Sequence, residues 1–336
     1  MVTISDVARQ AGVSQTTVSH ALSGKRPVAP QTQARIAQVI KDLNFRPSAL
    51  ARSLRIQHTQ TIALVIPDIT NPFYPTLARG LQDTLIQKGY YVFICNTESA
   101  LEQEITFLTE AISRRVDGIV LASHYDRSSI LREFIDKKIP LVSLEYSINL
   151  SNVDTVSSDD YQGVKHAIEY LLKKGHRRIG MIGSSQQHPT YEIRKAGYRD
   201  ALLAAGITYD ETIVVQKDFT RNGGMEATQT LLKRFVGSKQ AQRPTAIFCA
   251  NDMVAIGSMD AIREQNLSIP DDIAVVGYDD IEASALIHPA LTTVLNPAYK
   301  IGQAIGELLL ERMRGTYQGP SRHITIPYQF MQRESA

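Results

Sequence analysis

From Thr61 onward, short apolar runs alternate with amphipathic stretches of helical periodicity. The runs "TIALVIPD", "YYVFICN", "VDGIVLAS" and "IPLVSLE" read as strands, and 73–89, 101–114 and 127–137 read as helices between them. The pattern restarts at "DTVSSD" and continues through "RRIGMIG", "IVVQ", "TAIFCAN" and "IAVVGYDD", with helices predicted over 161–174, 190–205, 222–235 and 252–264. A coda adds "TTVLNP", a helix over 298–314 and "ITIPYQF". Strict alternation of this kind predicts parallel sheets covered on both faces, and two runs of it predict two doubly wound α/β lobes.

Before Thr61 the texture is different. "SDVARQAG" predicts a short helix with Ser5 as its cap, Val7, Ala8 and Ala11 on one face, and Gly12 at its end. After a tight turn, "SQTTVSHAL" predicts a second helix capped by Ser14, with Val18, Ala21 and Leu22 facing inward. A third, "APQTQARIAQVIKDLNF", opens near Pro30 and closes the core with Ala34, Ile36, Ala37, Val39, Ile40 and Leu43. The small all-α head is therefore a helix-turn-helix. Gln15, Thr16, Ser19 and His20 form the outer face of its second helix, side chains of a size to touch base edges in a major groove. The same face could equally be a solvated surface.

Charge separates the two regions. Residues 1–60 carry eight Lys/Arg against Asp6 and Asp42, a net +6, while the remaining residues sum to −4. A basic head on a mildly acidic body predicts a polyanion partner for the head alone. "RPSALARSLRIQHTQ" joins the two. Its Ala/Leu/Arg segment is too short for an isolated helix, so it is either a basic linker or a segment that orders against a partner. The N-terminus lacks a basic and apolar leader and no run of eighteen apolar residues occurs, which predicts a cytoplasmic protein with no membrane partner. Cys95 and Cys249 are expected to be reduced thiols.

The predicted strands end in "PDITNPFY", "ASHYD", "SLEY", "SSDD", "GSSQQ", "CAND" and "GYDD". Ligands of open parallel sheets bind beyond such ends, and this mixture of carboxylates, amides and aromatic rings suits a small polar molecule. Helix capping is the competing use of the same residues. No nucleotide-binding glycine pattern, hydrolase elbow or metal-ligand spacing accompanies them. The Asp pairs at 159/160, 271/272 and 279/280 point to opposite faces if strand-like, so they make poor acid–base pairs. No enzyme activity, metal or cofactor is expected.

The stretches "TISDVARQAGVSQTTVSHALSGKR", "RPSALARSL", "ALVIPDITNPFY", "RRIGMIG", "FCANDMVAIG" and "VVGYDDIEASALIHPALTTV" resemble the LacI/GalR family of bacterial transcription regulators across essentially the whole chain. The resemblance implies a DNA-binding head at 1–46, a hinge and linker at 47–60, and an effector-binding and dimerisation body at 61–336 that is similar to type I periplasmic binding proteins. It implies lobes of roughly 61–160 with 292–320, and 161–291 with 321–336. It also implies a homodimer on a near-palindromic double-stranded operator. The DNA contacts carried over are Thr3, Ser14, Gln15, Thr16, Thr17, Ser19, His20 and Arg26 in the head, with Ser48, Ala51, Leu54 and Arg55 in the hinge. Thr16, His20, Arg26 and "PSALARSL" are similar to the family's purine-responsive member, while Gln15 departs from it. In the hinge, Leu54 would wedge into the central base step.

For the effector, the resemblance points to Phe73, Tyr74, Ser123, Arg194, Phe219, Asn251 and Asp279, and more weakly to Glu145, Tyr146, Asp159 and His188. His188 stands where the purine-responsive member has arginine, which favours a sugar or sugar derivative over a nucleobase or nucleoside. A sugar-binding protein that does not engage DNA is the third reading. Ligand would act by changing how the lobes close, and thereby the spacing of the hinges.

Overall fold

The computed structural model describes residues 2–24, 26–45, 58–122, 128–144, 153–184, 189–235 and 243–336. The chain divides into two compact units, Met1–Thr59 and Gln60–Ala336. The hinge residues Ser48, Ala51, Leu54 and Arg55 lie outside the described residues.

The first unit holds helices α1 (Ile4–Ala11), α2 (Gln15–Ser23) and α3 (Pro30–Asp42). Thr3, rather than Ser5, caps α1: its hydroxyl accepts the Asp6 N–H, and the Asp6 carboxylate accepts the Thr3 N–H at 3.0 Å. This reciprocal pair satisfies two backbone donors at once. Gly12 leaves the helix at φ 63, where a Cβ would be strained. Ser14 then accepts the Thr17 N–H at 3.1 Å and starts α2. Val7, Ala8, Ala11, Val18, Ile36 and Val39 close the core. Leu22, Ala34 and Ala37, expected there, are exposed, while Ala21 packs against the core from the last turn of α2.

The second unit contains β1 (Thr61–Ile66), β2 (Tyr91–Asn96), β3 (Gly118–Leu121), β4 (Leu141–Leu144), β5 (Asp154–Ser158), β6 (Ile179–Ser184), β7 (Val214–Lys217), β8 (Ala246–Cys249), β9 (Ala274–Asp279), β10 (Thr292–Leu295), β11 (His323–Ile326) and β12 (Gln329–Met331). Its helices are α4 (Phe73–Ile86), α5 (Leu101–Ser113), α6 (Ser128–Asp136), α7 (Asp160–Lys173), α8 (Pro189–Ala204), α9 (Arg221–Lys233), α10 (Asp252–Glu264), α11 (Glu282–Leu286) and α12 (Ala298–Arg314). Two six-stranded sheets result, ordered β11-β5-β4-β3-β1-β2 and β12-β10-β9-β8-β6-β7. All pairings are parallel except β10 with β12. Separate apolar clusters fill both faces of each sheet. Among the described residues, no helix is long and apolar enough to cross a membrane.

The sheet order corrects the expected division of the C-terminal third. "TTVL" belongs to the second lobe, because β10 pairs with β9 and Thr293 donates to Asp252 at 2.6 Å inside that lobe. "ITIPYQF" is split: β11 pairs with β5 in the first lobe, and β12 pairs with β10 in the second. The chain therefore passes between lobes after β5, after β10 and between β11 and β12. Only α12 and its approach to β11 return to the first lobe as expected.

α12 lies on α4 at backbone contact distance. A Cβ on Gly80 would sit 2.1 Å from the Tyr299 carbonyl oxygen, and one on Gly302 would sit 2.1 Å from that of Leu77. Neither neighbour is a side chain that could swing away, so both glycines are required by the packing. Gly302→Ala should destabilise the body by about 1–3 kcal/mol through overpacking. Urea unfolding checks this, and an unchanged midpoint would contradict the close approach.

Candidate functional site

The outward face of α2 is the first candidate surface. Ser14, Gln15 and Thr16 are exposed at its start, Thr17, Ser19 and His20 are partly covered, and Arg26 is exposed beyond its end. The first turn of α2 contains no acidic residue, so the positive end of the helix dipole is uncompensated. Three of the carried-over hydroxyls already have local work. Ser14 caps the helix and shares a 2.8 Å hydrogen bond with Thr17, and Thr3 donates to Asp6 at 2.7 Å. Gln15, Thr16, Ser19 and His20 are the carried-over side chains that remain on this face.

The second candidate lies at the C-terminal ends of the strands in the second lobe. Arg194, on α8, is buried beneath this edge. One guanidinium arm donates to the Ala250 carbonyl just past β8, the other donates to Asp160 at 3.1 Å, and Asp279 lies 3.8 Å away. Its plane covers the Tyr278 ring at 3.8 Å. Asn251 caps α10 by accepting the Val254 N–H at 2.8 Å and donates to the Phe219 carbonyl at 3.3 Å.

Asp279 ends β9 with φ 113, a backbone region that side chains rarely occupy, followed by Asp280 at φ 55. Such strain persists only where neighbours over-determine it. Two do so here. Asp252, fully buried, accepts from Thr293, Ser284 and the Ile281 N–H, tying β10 and the start of α11 to α10. Arg333 donates to Asp280 at 2.6 Å and to the Leu291 carbonyl. Burial pushes the Asp279 carboxyl up to about 8 against the pull of Arg194. Asp252 is likewise pushed up by burial, to about 7, despite its three donors.

Two sequence models match this chain: residues 3–48 match "bacterial regulatory proteins, lacI family", and residues 168–336 match "periplasmic binding protein-like domain". The HTH-type transcriptional repressor PurR of Vibrio atlanticus is 35% identical over 94% of this chain and 92% of its own length. The ribose operon repressor of Escherichia coli is 36% identical over 93% of each. The chain belongs to the LacI family of bacterial regulatory proteins. It is a ligand-responsive DNA-binding regulator of transcription. Among solved structures, a LacI family transcriptional regulator from Enterococcus faecium with bound ribose superposes with a TM-score of 0.75 at 30% identity, over 82% of this chain and 98% of the other.

In this LacI-family body the described residues among those expected for an effector come from both lobes. Arg194, Asn251 and Asp279 share one edge of the second lobe, and Phe219 is held against that edge by Asn251. Phe73 and Tyr74 begin α4, with rings edge to face at 5.3 Å, largely buried in the first lobe. Asp159 is a helix cap, accepting the Gln162 N–H at 3.1 Å to start α7. The carboxylate that meets Arg194 is its neighbour Asp160, because the strand has ended and the helix turns the next side chain inward. Ser123, Glu145, Tyr146 and His188 lie outside the described residues. Sequence reasoning missed Asp160, Asp252, Tyr278 and Asn296. For the pairs 159/160 and 279/280, the opposed direction of neighbouring side chains was the signal that only one member could face Arg194.

Two consequences are measurable. Arg194→Ala leaves Asp160 and Asp279 facing each other in the interior and should cost about 3–5 kcal/mol in urea unfolding. The second concerns pH. Asp279 binds its proton more tightly folded than unfolded, so its contribution is fully present below the ordinary carboxylate value of 3.8 and is lost as pH rises through about 8. Across that window, stability falls by up to about 1.4 kcal/mol per pH unit for one such group. Asp279→Asn should therefore flatten the decline, gaining on the wild type between about pH 5.5 and 8. Parallel pH profiles would contradict the assignment.

Proposed function

We propose that this protein is a dimeric repressor that reads a near-palindromic operator with Gln15, Thr16 and His20 and is controlled by a sugar held at Arg194, Asn251 and Asp279. The observation that carries the effector class is the site's polarity. A carboxyl group, an amide and a guanidinium stand at one strand edge beside the Phe219 wall, which suits several hydroxyl groups on a compact apolar ring. The ribose operon repressor relative and the ribose-bound neighbour support a pentose as the first candidate. Calorimetry with D-ribose, and with hypoxanthine as the competing class, tests the reading. Ribose should bind the wild type and lose at least about tenfold in affinity to Asp279→Asn, the loss of a charge-assisted hydrogen bond. Binding of hypoxanthine instead would replace the sugar with a purine.

On the DNA side, Gln15→Ala or His20→Ala should cost about 1–3 kcal/mol on an operator selected by the wild type, and much less on random DNA. Fluorescence anisotropy on both DNAs is the measurement, and equal losses would remove the base-reading role.

The dimer surface follows from the first sheet. β2 is its edge strand, and Tyr91 and Phe93 are 62% and 58% exposed on it, with Ile94 beside them and Ile86, Leu101 and Ile105 exposed on α4 and α5. An apolar edge of this extent invites pairing unless it is covered, and a second copy of the chain covers it with its own matching strand. Phe93→Glu should yield a monomer by sedimentation. A dimer that survives this change would place the interface elsewhere.

A further inference from the structure

One buried acceptor beside Asp279 has no donor. Asn296 follows β10 directly, on the connection that carries the chain from the second sheet into α12 and the first lobe. It is buried, its Nδ2 donates to Asp279 Oδ1 at 3.4 Å, and its backbone N–H donates to the Asp279 carbonyl at 3.3 Å. Its own Oδ1 is buried with no hydrogen-bond partner among the described residues. An amide oxygen in that position calls for a proton from a neighbour.

Asp279 has the complementary need. It is faced by Arg194 from α8 at 3.8 Å, by Asp160 from the start of α7, by Asp252 from α10 and by Asn296, while Asp280 turns away to Arg333. Asp160 and Asp279 therefore share one buried guanidinium, with the Asp252 carboxyl close enough to add its charge. Retaining a proton on one of them relieves the excess, and burial pushes Asp279 in that direction. Its backbone is held at φ 113 at the end of β9.

We propose that Asp279 and Asn296 form a proton-gated latch at the lobe crossover. In the effector-free protein, the Asp279 carboxylic acid donates its O–H to Asn296 Oδ1 while Asn296 Nδ2 donates back to Asp279 Oδ1. An effector hydroxyl that donates to Asp279 Oδ2, the oxygen that carries the proton, requires the carboxylate, so the proton passes to buffer, only the O–H bond breaks, and Asn296 loses one of its two side-chain bonds. Asn296 is two residues from α12, and α12 is locked to α4 through Gly80 and Gly302, so the change at the second lobe acts on a rigid part of the first. The effector half of this scheme rests on the sugar reading above. The latch in the free protein does not.

Two measurements on the full-length chain separate the halves. With aspartate labelled at its carboxyl carbon, the resonance missing from Asp279→Asn should titrate near 8 in the wild type by carbon NMR. In Asn296→Ala it should titrate lower, by about one unit, because the acid form loses two bonds and the carboxylate only one. An upward shift or none would mean that Asn296 only donates, and would overturn the latch. For the effector half, D-ribose titrated by calorimetry at neutral pH into phosphate and into Tris should give heats that differ by about one proton released per site. Equal heats would overturn proton displacement. Absence of ribose binding to the wild type would count against the sugar reading, while the carbon titration still decides the latch. In Asn296→Ala, ribose should bind yet change operator affinity much less than in the wild type; an undiminished effect would show that the crossover amide carries no coupling.

Discussion

The second lobe is organised around a single guanidinium that has to satisfy more partners than it has arms. Arg194 reaches the end of β8 through the Ala250 carbonyl, the start of α7 through Asp160, and the end of β9 through Asp279 and the Tyr278 ring. These elements are far apart in the chain and meet only at this cation. Burying a positive charge is costly unless its donors are placed, and here that requirement fixes the strand ends against one another. The strand-end edge of this lobe is thereby built by the chain's own contacts.

The same constraint explains why the aspartates work in opposed pairs. Asp159 holds a backbone N–H and Asp160 holds Arg194; Asp279 faces Arg194 and Asp280 holds Arg333. In each pair, one carboxylate fixes the turn so that the other can point at the shared centre. The strained φ of Asp279 is the local expression of that division of labour, sustained by Asp252 from below.

Much of the architecture was legible because alternation of strand and helix is written in each segment separately. The head helices and the strands of each sheet followed from local patterns such as "RRIGMIG" and "CAND". What local pattern cannot carry is pairing. "TTVL" has the same texture whichever sheet takes it, and its place beside β9 is decided by a buried contact from Thr293 to Asp252. The choice of Asp160 over Asp159 depended on the residue at which β5 gives way to α7. The role of Asn296 was invisible for a related reason: a lone amide after a strand means nothing until the carboxyl beside it is known.

The way the chain shuttles between lobes bears on how the protein is made. The first sheet begins at Thr61 but is complete only when β11 pairs with β5 at the far end of the sequence, and its face is closed by α12. On a ribosome, strands β1 to β5 emerge first but lack β11 and α12 until the whole second lobe up to β10 has been synthesised. That lobe has its five parallel strands and its helices in hand first, lacking only the short antiparallel β12. The lobe encoded second is thus in a position to fold first and to serve as a template, while the first keeps its apolar strands open for longer and is the half most exposed to misassembly during synthesis.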